Sequence, residues 1–140
     1  MSAMRLDTNA SYSGSMVTNG RASQGMPDFY DRCNIIGTPD NIFVALGTND
    51  SGTSAALGEY DYDSAISDLS EEQFIPAYIK GIKTLKENYP TANIYLFIFY
   101  MKDKIFDQCI DEKLGKTEWV HIGLYNLKGQ QRKMIFNITK

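Results

Sequence analysis

The ten residues Asn41 to Asp50, N-I-F-V-A-L-G-T-N-D, constrain this chain more than any other stretch. Ile42, Phe43, Val44, Ala45 and Leu46 form an unbroken apolar run with β-branched and aromatic members, bounded by Pro39 and Asp40 before it and Gly47 after it. Such a run predicts a strand buried on both faces, the environment of a parallel sheet. Polar groups then arrive together at its carboxyl end, as Thr48, Asn49 and Asp50. In open α/β sheets that edge is where ligands bind. Gly, Thr, Asn and Asp are equally the residues of an ordinary turn, so these letters alone leave both readings open.

The rest of the chain supplies alternating strands and helices. Arg5 to Ala10 reads as one short strand, followed by a small-residue patch, Ser11-Tyr12-Ser13-Gly14-Ser15-Met16-Val17-Thr18, and a polar loop. Gly14, lacking a Cβ, permits close backbone approach to a ligand, although a solvated loop has the same composition. Phe29, Cys33 and Ile36 behind Pro27 predict a short helix over 28–36. Ser70-Glu71-Glu72-Gln73 has the form of a capping box. Phe74, Ile75, Tyr78, Ile79, Ile82 and Leu85 then share one face at helical spacing, with Pro76 marking a kink or the start of the regular helix. Asn93 to Tyr100 is a second continuously apolar strand. Lys102 to Leu114 predicts a helix, Thr117 to Ile122 a third strand, and Asn126 to the end a last helix. Buried strands alternating with helices indicate a three-layer α/β/α domain on a parallel sheet.

Length and charge narrow the function. The 140 residues, 43% of them hydrophobic, suit one domain spanning 1–140 with a packed core. The 14 basic and 17 acidic side chains, a net charge of -3, offer no attraction for nucleic acid. No apolar run reaches the roughly 20 residues of a membrane span, and the amino-terminal M-S-A-M-R-L-D has no signal-peptide core, so a cytoplasmic location is expected. Cys33 and Cys109 lack CxxC spacing and read as buried free thiols. With His121 the single histidine, no zinc site is expected. Asp50, Asp61 and Asp63 lack regular ligand spacing, and Asp61 and Asp63 read as part of a solvated acidic loop rather than a hard-metal site.

Taken in order, the patch around Gly14, the strand ending in Gly47-Thr48-Asn49-Asp50, the helix after it and Asn126-Leu127-Lys128-Gly129-Gln130 resemble the SGNH hydrolases, or GDSL esterases and lipases, over roughly residues 9 to 134. The resemblance implies a flavodoxin-like fold, cleavage of small acyl, lipid or carbohydrate esters by a serine nucleophile, and no cofactor or metal. By position it implies that Gly14 donates its backbone amide and Asn49 its side-chain amide to an oxyanion. One well-placed donor of this kind lowers an acyl-transfer barrier by about 3 to 4 kcal/mol. Asp50, beside Asn49, is expected to hold the loop by hydrogen bonds.

Two family blocks do not carry over. No Gly-Asp-Ser occurs, which makes the chain read as starting after the family's first block, as a truncated or degenerate copy. The family's Asp-x-x-His would fall with its Asp at His121 and its His at Leu124, neither the required residue. Glu118-Trp119-Val120-His121 keeps an acid-x-x-His spacing, so His121 with Glu118, and Ser13 or Ser15 as nucleophile, are weak candidates. In a strand this three-residue offset turns acid and histidine to opposite faces. The expected first, central strand is also missing, leaving the strand of Phe43 and Val44 exposed at one edge, to be covered by residues 1–10 or by a second copy. The expectation is an esterase-family domain that keeps its oxyanion donors without a recognisable nucleophile or base. The alternatives are a non-catalytic acyl- or carbohydrate-binding module and a self-associating structural protein.

Overall fold

The computed structural model describes residues 4–34, 37–59, 61–99, 120–125 and 131–135, from residue 97 onward by backbone course alone. Four strands form one sheet in the order β1-β2-β3-β4: β1 is Asn41–Leu46, β2 Asn93–Phe99, β3 Val120–Tyr125 and β4 Gln131–Ile135. β1, β2 and β3 run parallel, with Val44 opposite Leu96 and Leu96 opposite Ile122, and β4 returns antiparallel to β3. The sheet therefore combines a parallel α/β core with one antiparallel edge.

Two helices precede and follow β1 in the chain: α1, Phe29–Arg32, and α2, Phe74–Asn88. The apolar face expected for α2 is its buried face. Phe74, Ile75, Tyr78, Ile79, Ile82 and Leu85 form the core together with Ile42 and Val44 of β1 and Ile94 and Leu96 of β2. α1 closes on α2 where Gly81 has no side chain. A Cβ there would lie 2.2–2.8 Å from ring atoms of Phe29. Among the described residues, no helix is long and apolar enough to cross a membrane.

Several local expectations are corrected. Residues 5–10 form no strand, and Leu6 is 76% exposed. β1 is buried on one face only: Ile42 and Val44 are covered, whereas Phe43 is 55% exposed and stacks on Tyr95 of the neighbouring strand. Ser70-Glu71-Glu72-Gln73 makes no capping box. The Ser70 hydroxyl accepts from the Glu72 amide, and the opening amides of α2, Phe74 and Ile75, donate instead to the carbonyls of Ala56 and Leu57. A neighbouring loop has taken the role of the side-chain cap. Pro76 sits in this first turn, where a helix needs no intrahelical donor, and α2 continues from it.

The reciprocal cap occurs in α1, where Asp28 and Asp31 bond each other's amides at 2.8 and 3.3 Å. The short helix stops at Arg32; residues 35–36 of the expected helix lie outside the described residues. The last expected helix is overturned across residues 131–135, which are β4, because hydrogen bonding to β3 outweighs a weak local helical pattern. The third strand runs Val120–Tyr125, later than expected. The expected helix at 102–114, and the block 126–130, lie outside the described residues.

Candidate active site at the carboxyl end of β1

At Leu46 the chain leaves the sheet through Gly47, whose φ of 112° lies in the region that favours glycine. Asn49 follows at an intermediate level of burial, and Asp50, only 4% exposed, opens a 3-10 turn over Asp50–Gly52. The Asp50 carboxylate receives three donors from the small-residue patch. Oδ2 accepts the Val17 amide at 2.9 Å, and Oδ1 accepts the Thr18 amide at 3.0 Å and the Thr18 hydroxyl at 2.9 Å. An ionised carboxylate is purely an acceptor, so three converging donors suit it. The residue after the patch is fastened as well, since the Asn19 amide donates to the Glu71 carbonyl at 2.9 Å. Burial, and then the nearby Asp50 carboxylate, push the Tyr78 phenol of α2 well above its usual value.

The patch and Asn49 meet at Ser15. Asn49 Nδ2 donates to the Ser15 carbonyl at 2.9 Å. Gly14 stands next to it with φ 79°, and its carbonyl accepts from Nη1 of Arg21. A Cβ on Gly14 would come within 3.2 Å of that nitrogen, the end of a flexible side chain, so it is the positive φ that favours glycine here. The Gly14 backbone amide donates to no acceptor among the described residues, and the Asn49 side-chain NH₂ has a second hydrogen beyond the one given to Ser15.

The remaining sequence candidates do not join them. Ser13 is exposed and Ser15 buried, and neither hydroxyl is bonded to a histidine or a carboxylate among the described residues. His121 is the second residue of β3, in register with Tyr95 and through it with Phe43. The level of Leu46 corresponds on β3 to Leu124, three residues on, so the backbone of His121 lies about 10 Å short of the carboxyl edge. Glu118 lies outside the described residues.

Among the described residues, no group of three or more His, Cys, Asp or Glu could hold a metal. Asp61 instead bonds the hydroxyl and amide of Ser64, and these bonds lower its carboxyl below the usual range. Cys33 is a buried free thiol, donating to the carbonyls of Phe29 and Gly81 at 3.1 and 3.3 Å; Cys109 lies outside the described residues. Reading by motif passed over Arg21 and Thr18. Arg21 sits in the polar loop and Thr18 at the end of the small-residue patch, and their roles exist only through contacts made in the folded chain.

Comparisons with known proteins bear on the family and the fold. A family profile described as GDSL-like lipase/acylhydrolase matches residues 1–133. The fold is similar to that of a candidate GDSL-like lipase from Bacteroides uniformis ATCC 8492, with TM-score 0.65 and 29% identity, over 90% of this chain and 58% of that one. A second, from Bacteroides ovatus ATCC 8483, is similar in fold with TM-score 0.64 and 21% identity, over 86% of this chain and 57% of that one. This chain therefore spans a little under three fifths of the length of the solved structures it matches. No curated protein matches it.

Proposed function

Because the chain belongs to the GDSL-like lipase/acylhydrolase family, we propose that the junction of Gly14, Ser15 and Asn49 is the oxyanion-binding half of an ester-hydrolysing site. The observation that carries this reading is the bond from Asn49 Nδ2 to the Ser15 carbonyl, which seats the Asn49 amide beside Gly14. When an ester carbonyl is attacked, charge gathers on its oxygen. Donors already fixed by the protein need no reorganisation to meet it. Asp50 supports them by holding Val17 and Thr18, and Arg21 by holding the Gly14 carbonyl.

The substrates are small esters of acyl, lipid or carbohydrate groups. On its own this chain stabilises the anion without supplying a nucleophile or base, because the Ser13 and Ser15 hydroxyls have no histidine or carboxylate partner among the described residues and the backbone of His121 lies short of the carboxyl edge of the sheet. A second reading is self-association of the chain through β1, the outermost strand among the described residues.

Chemical rescue separates the two claims. Short p-nitrophenyl esters are incubated with the chain and with Asn49→Ala, with and without free imidazole as external nucleophile and base. Without imidazole both proteins match the buffer rate. With imidazole the chain accelerates release severalfold and Asn49→Ala does not. Equal rates in imidazole would sink the oxyanion reading, while Asn49-dependent turnover without it would overturn the missing nucleophile and base.

A further inference from the structure

The small-residue patch turns tightly at its glycine. Ser15 donates its amide to the Tyr12 carbonyl at 3.2 Å, which closes a β-turn over residues 12–15 with Gly14, φ 79°, at the position that calls for glycine. The Gly14 carbonyl then takes Nη1 of Arg21. The backbone of Arg21 is itself fixed, since its carbonyl accepts the amides of Gln24 at 3.0 Å and Met26 at 3.3 Å. This arginine is therefore held both at its main chain and at the tip of its side chain.

That tip ends beside the candidate oxyanion donor. A Cβ on Gly14 would lie 3.2 Å from Arg21 Nη1, which puts the guanidinium within about 6 Å of the Gly14 amide nitrogen. Met26 borders the same spot, with Cε 3.7 Å and Sδ 3.8 Å from that position. Arg21 is at an intermediate level of burial, and among the described residues it makes no ion pair and gives its Nε and Nη2 to no acceptor. Other cations are engaged elsewhere: Arg32 with the Asp28 and Ala10 carbonyls, Lys80 with Glu71, and Lys83 with the Tyr62 and Ser64 carbonyls. A guanidinium bonded through one nitrogen keeps an open fork of donors, the geometry that matches a carboxylate. A single arginine balances one negative charge, which suits a carboxylate better than a phosphate dianion.

We propose that Arg21 sets substrate choice at this site: it receives a carboxylate carried by the ester a few bonds from the carbonyl under attack, with the Met26 side chain bordering the apolar part between them. The inference rests on the oxyanion reading of Gly14 and Asn49 and adds to it a substrate class, small esters that bear a free carboxylate.

The test measures hydrolysis at fixed imidazole for two matched pairs of esters. One pair is 3-acetoxybenzoate and 3-acetoxybenzamide, the other 4-nitrophenyl 4-carboxybenzoate and 4-nitrophenyl 4-carbamoylbenzoate. Each exchanges a carboxylate for a carboxamide of similar shape, on the leaving group in the first pair and on the acyl group in the second. In at least one pair the unaltered chain should show a KM about tenfold lower for the carboxylate ester, with kcat within about twofold. In Arg21→Met the two members of that pair should become alike, and comparison within one protein cancels whatever the substitution does at the Gly14 carbonyl. Arg21→Gln, which keeps an NH₂ donor for that carbonyl while removing the charge, should behave in the same way, so loss of folding in one variant leaves the other to decide. Equal KM values within both pairs on the unaltered chain, with acceleration still dependent on Asn49, would refute this inference and leave the oxyanion reading standing. Absence of Asn49-dependent acceleration with all four esters would remove both. A preference that survives in Arg21→Met and Arg21→Gln would overturn the assignment to Arg21.

Discussion

Asp50 holds Thr18 by both of its donors: a single carboxylate oxygen, Oδ1, takes the Thr18 amide at 3.0 Å and the Thr18 hydroxyl at 2.9 Å across 32 residues of sequence. The other oxygen takes the Val17 amide, so one side chain joins the patch around Gly14 to the end of β1. Removing it leaves three buried donors without an acceptor. Asp50→Ala should therefore destabilise the chain by about 2–4 kcal/mol, and Asp50→Asn, which keeps one acceptor oxygen, by less. Urea denaturation of the three proteins measures this; a loss in Asp50→Ala below about 0.5 kcal/mol would show that the carboxylate does not hold the junction.

Gly81 and Phe29 form the closest approach of α1 to α2. Because a Cβ at residue 81 would lie within 2.2–2.8 Å of the Phe29 ring, Gly81→Ala should cost about 1–3 kcal/mol despite the better helix propensity of alanine. The smaller Phe29→Leu side chain should recover part of that loss in the double variant. Additive effects of the two substitutions would mean that the ring and residue 81 do not meet.

Asp28 introduces a pH dependence. Burial, acting against the Asp31 amide bond that favours the ionised form, raises its carboxyl above the ordinary value of 3.8. The folded chain thus binds the proton more tightly than the unfolded chain, and the contribution of this group falls as pH rises through and above 3.8. The Asp28→Asn variant retains a cap acceptor without ionising. The stability of the natural chain, relative to that variant, should decline from about pH 3 toward about pH 6. Thermal melts across that interval settle the sign, and a relative gain in stability with rising pH would contradict it.

The Cys33 thiol should be inert in the folded chain. Burial pushes its ionisation well above that of a free thiol, and its hydrogen is directed at two backbone carbonyls. Thiolate is the reactive species, so neither access nor ionisation favours labelling. In a Cys109→Ser background, Ellman's reagent should titrate no thiol under native conditions at about pH 8 and one thiol in guanidinium. Rapid native labelling would place Cys33 at the surface.

Much of the fold was legible because it rests on local periodicity. The apolar runs at Ile42 to Leu46 and Ile94 to Phe99 are strands, and the stripe from Phe74 to Leu85 is the buried face of α2. Misreadings fell where distant partners decide. Ser70 and Gln73 carry the letters of a capping box, yet the carbonyls of Ala56 and Leu57 reach the α2 amides instead. Residues 131–135 carry a helical pattern too weak to resist pairing with β3.

Gly14 and Asn49 were singled out by the resemblance to the family, and the hydrogen bonds expected of Asp50 from its type and position are present. Arg21 was not visible: an arginine in a polar loop carries no mark of the carbonyl it will hold.

By itself, the amino-acid order determined which segments become β1, β2 and α2, and it put glycine at positions 14 and 47, where φ is positive. Those outcomes depend on hydrophobic spacing and on conformational freedom at single residues, both local properties. Only the tertiary structure decided that β4 is a strand and that Ser15, Val17 and Thr18 meet Asn49 and Asp50. Those outcomes depend on which donors and acceptors remain unmatched once the core has packed, and that is a property of the whole chain.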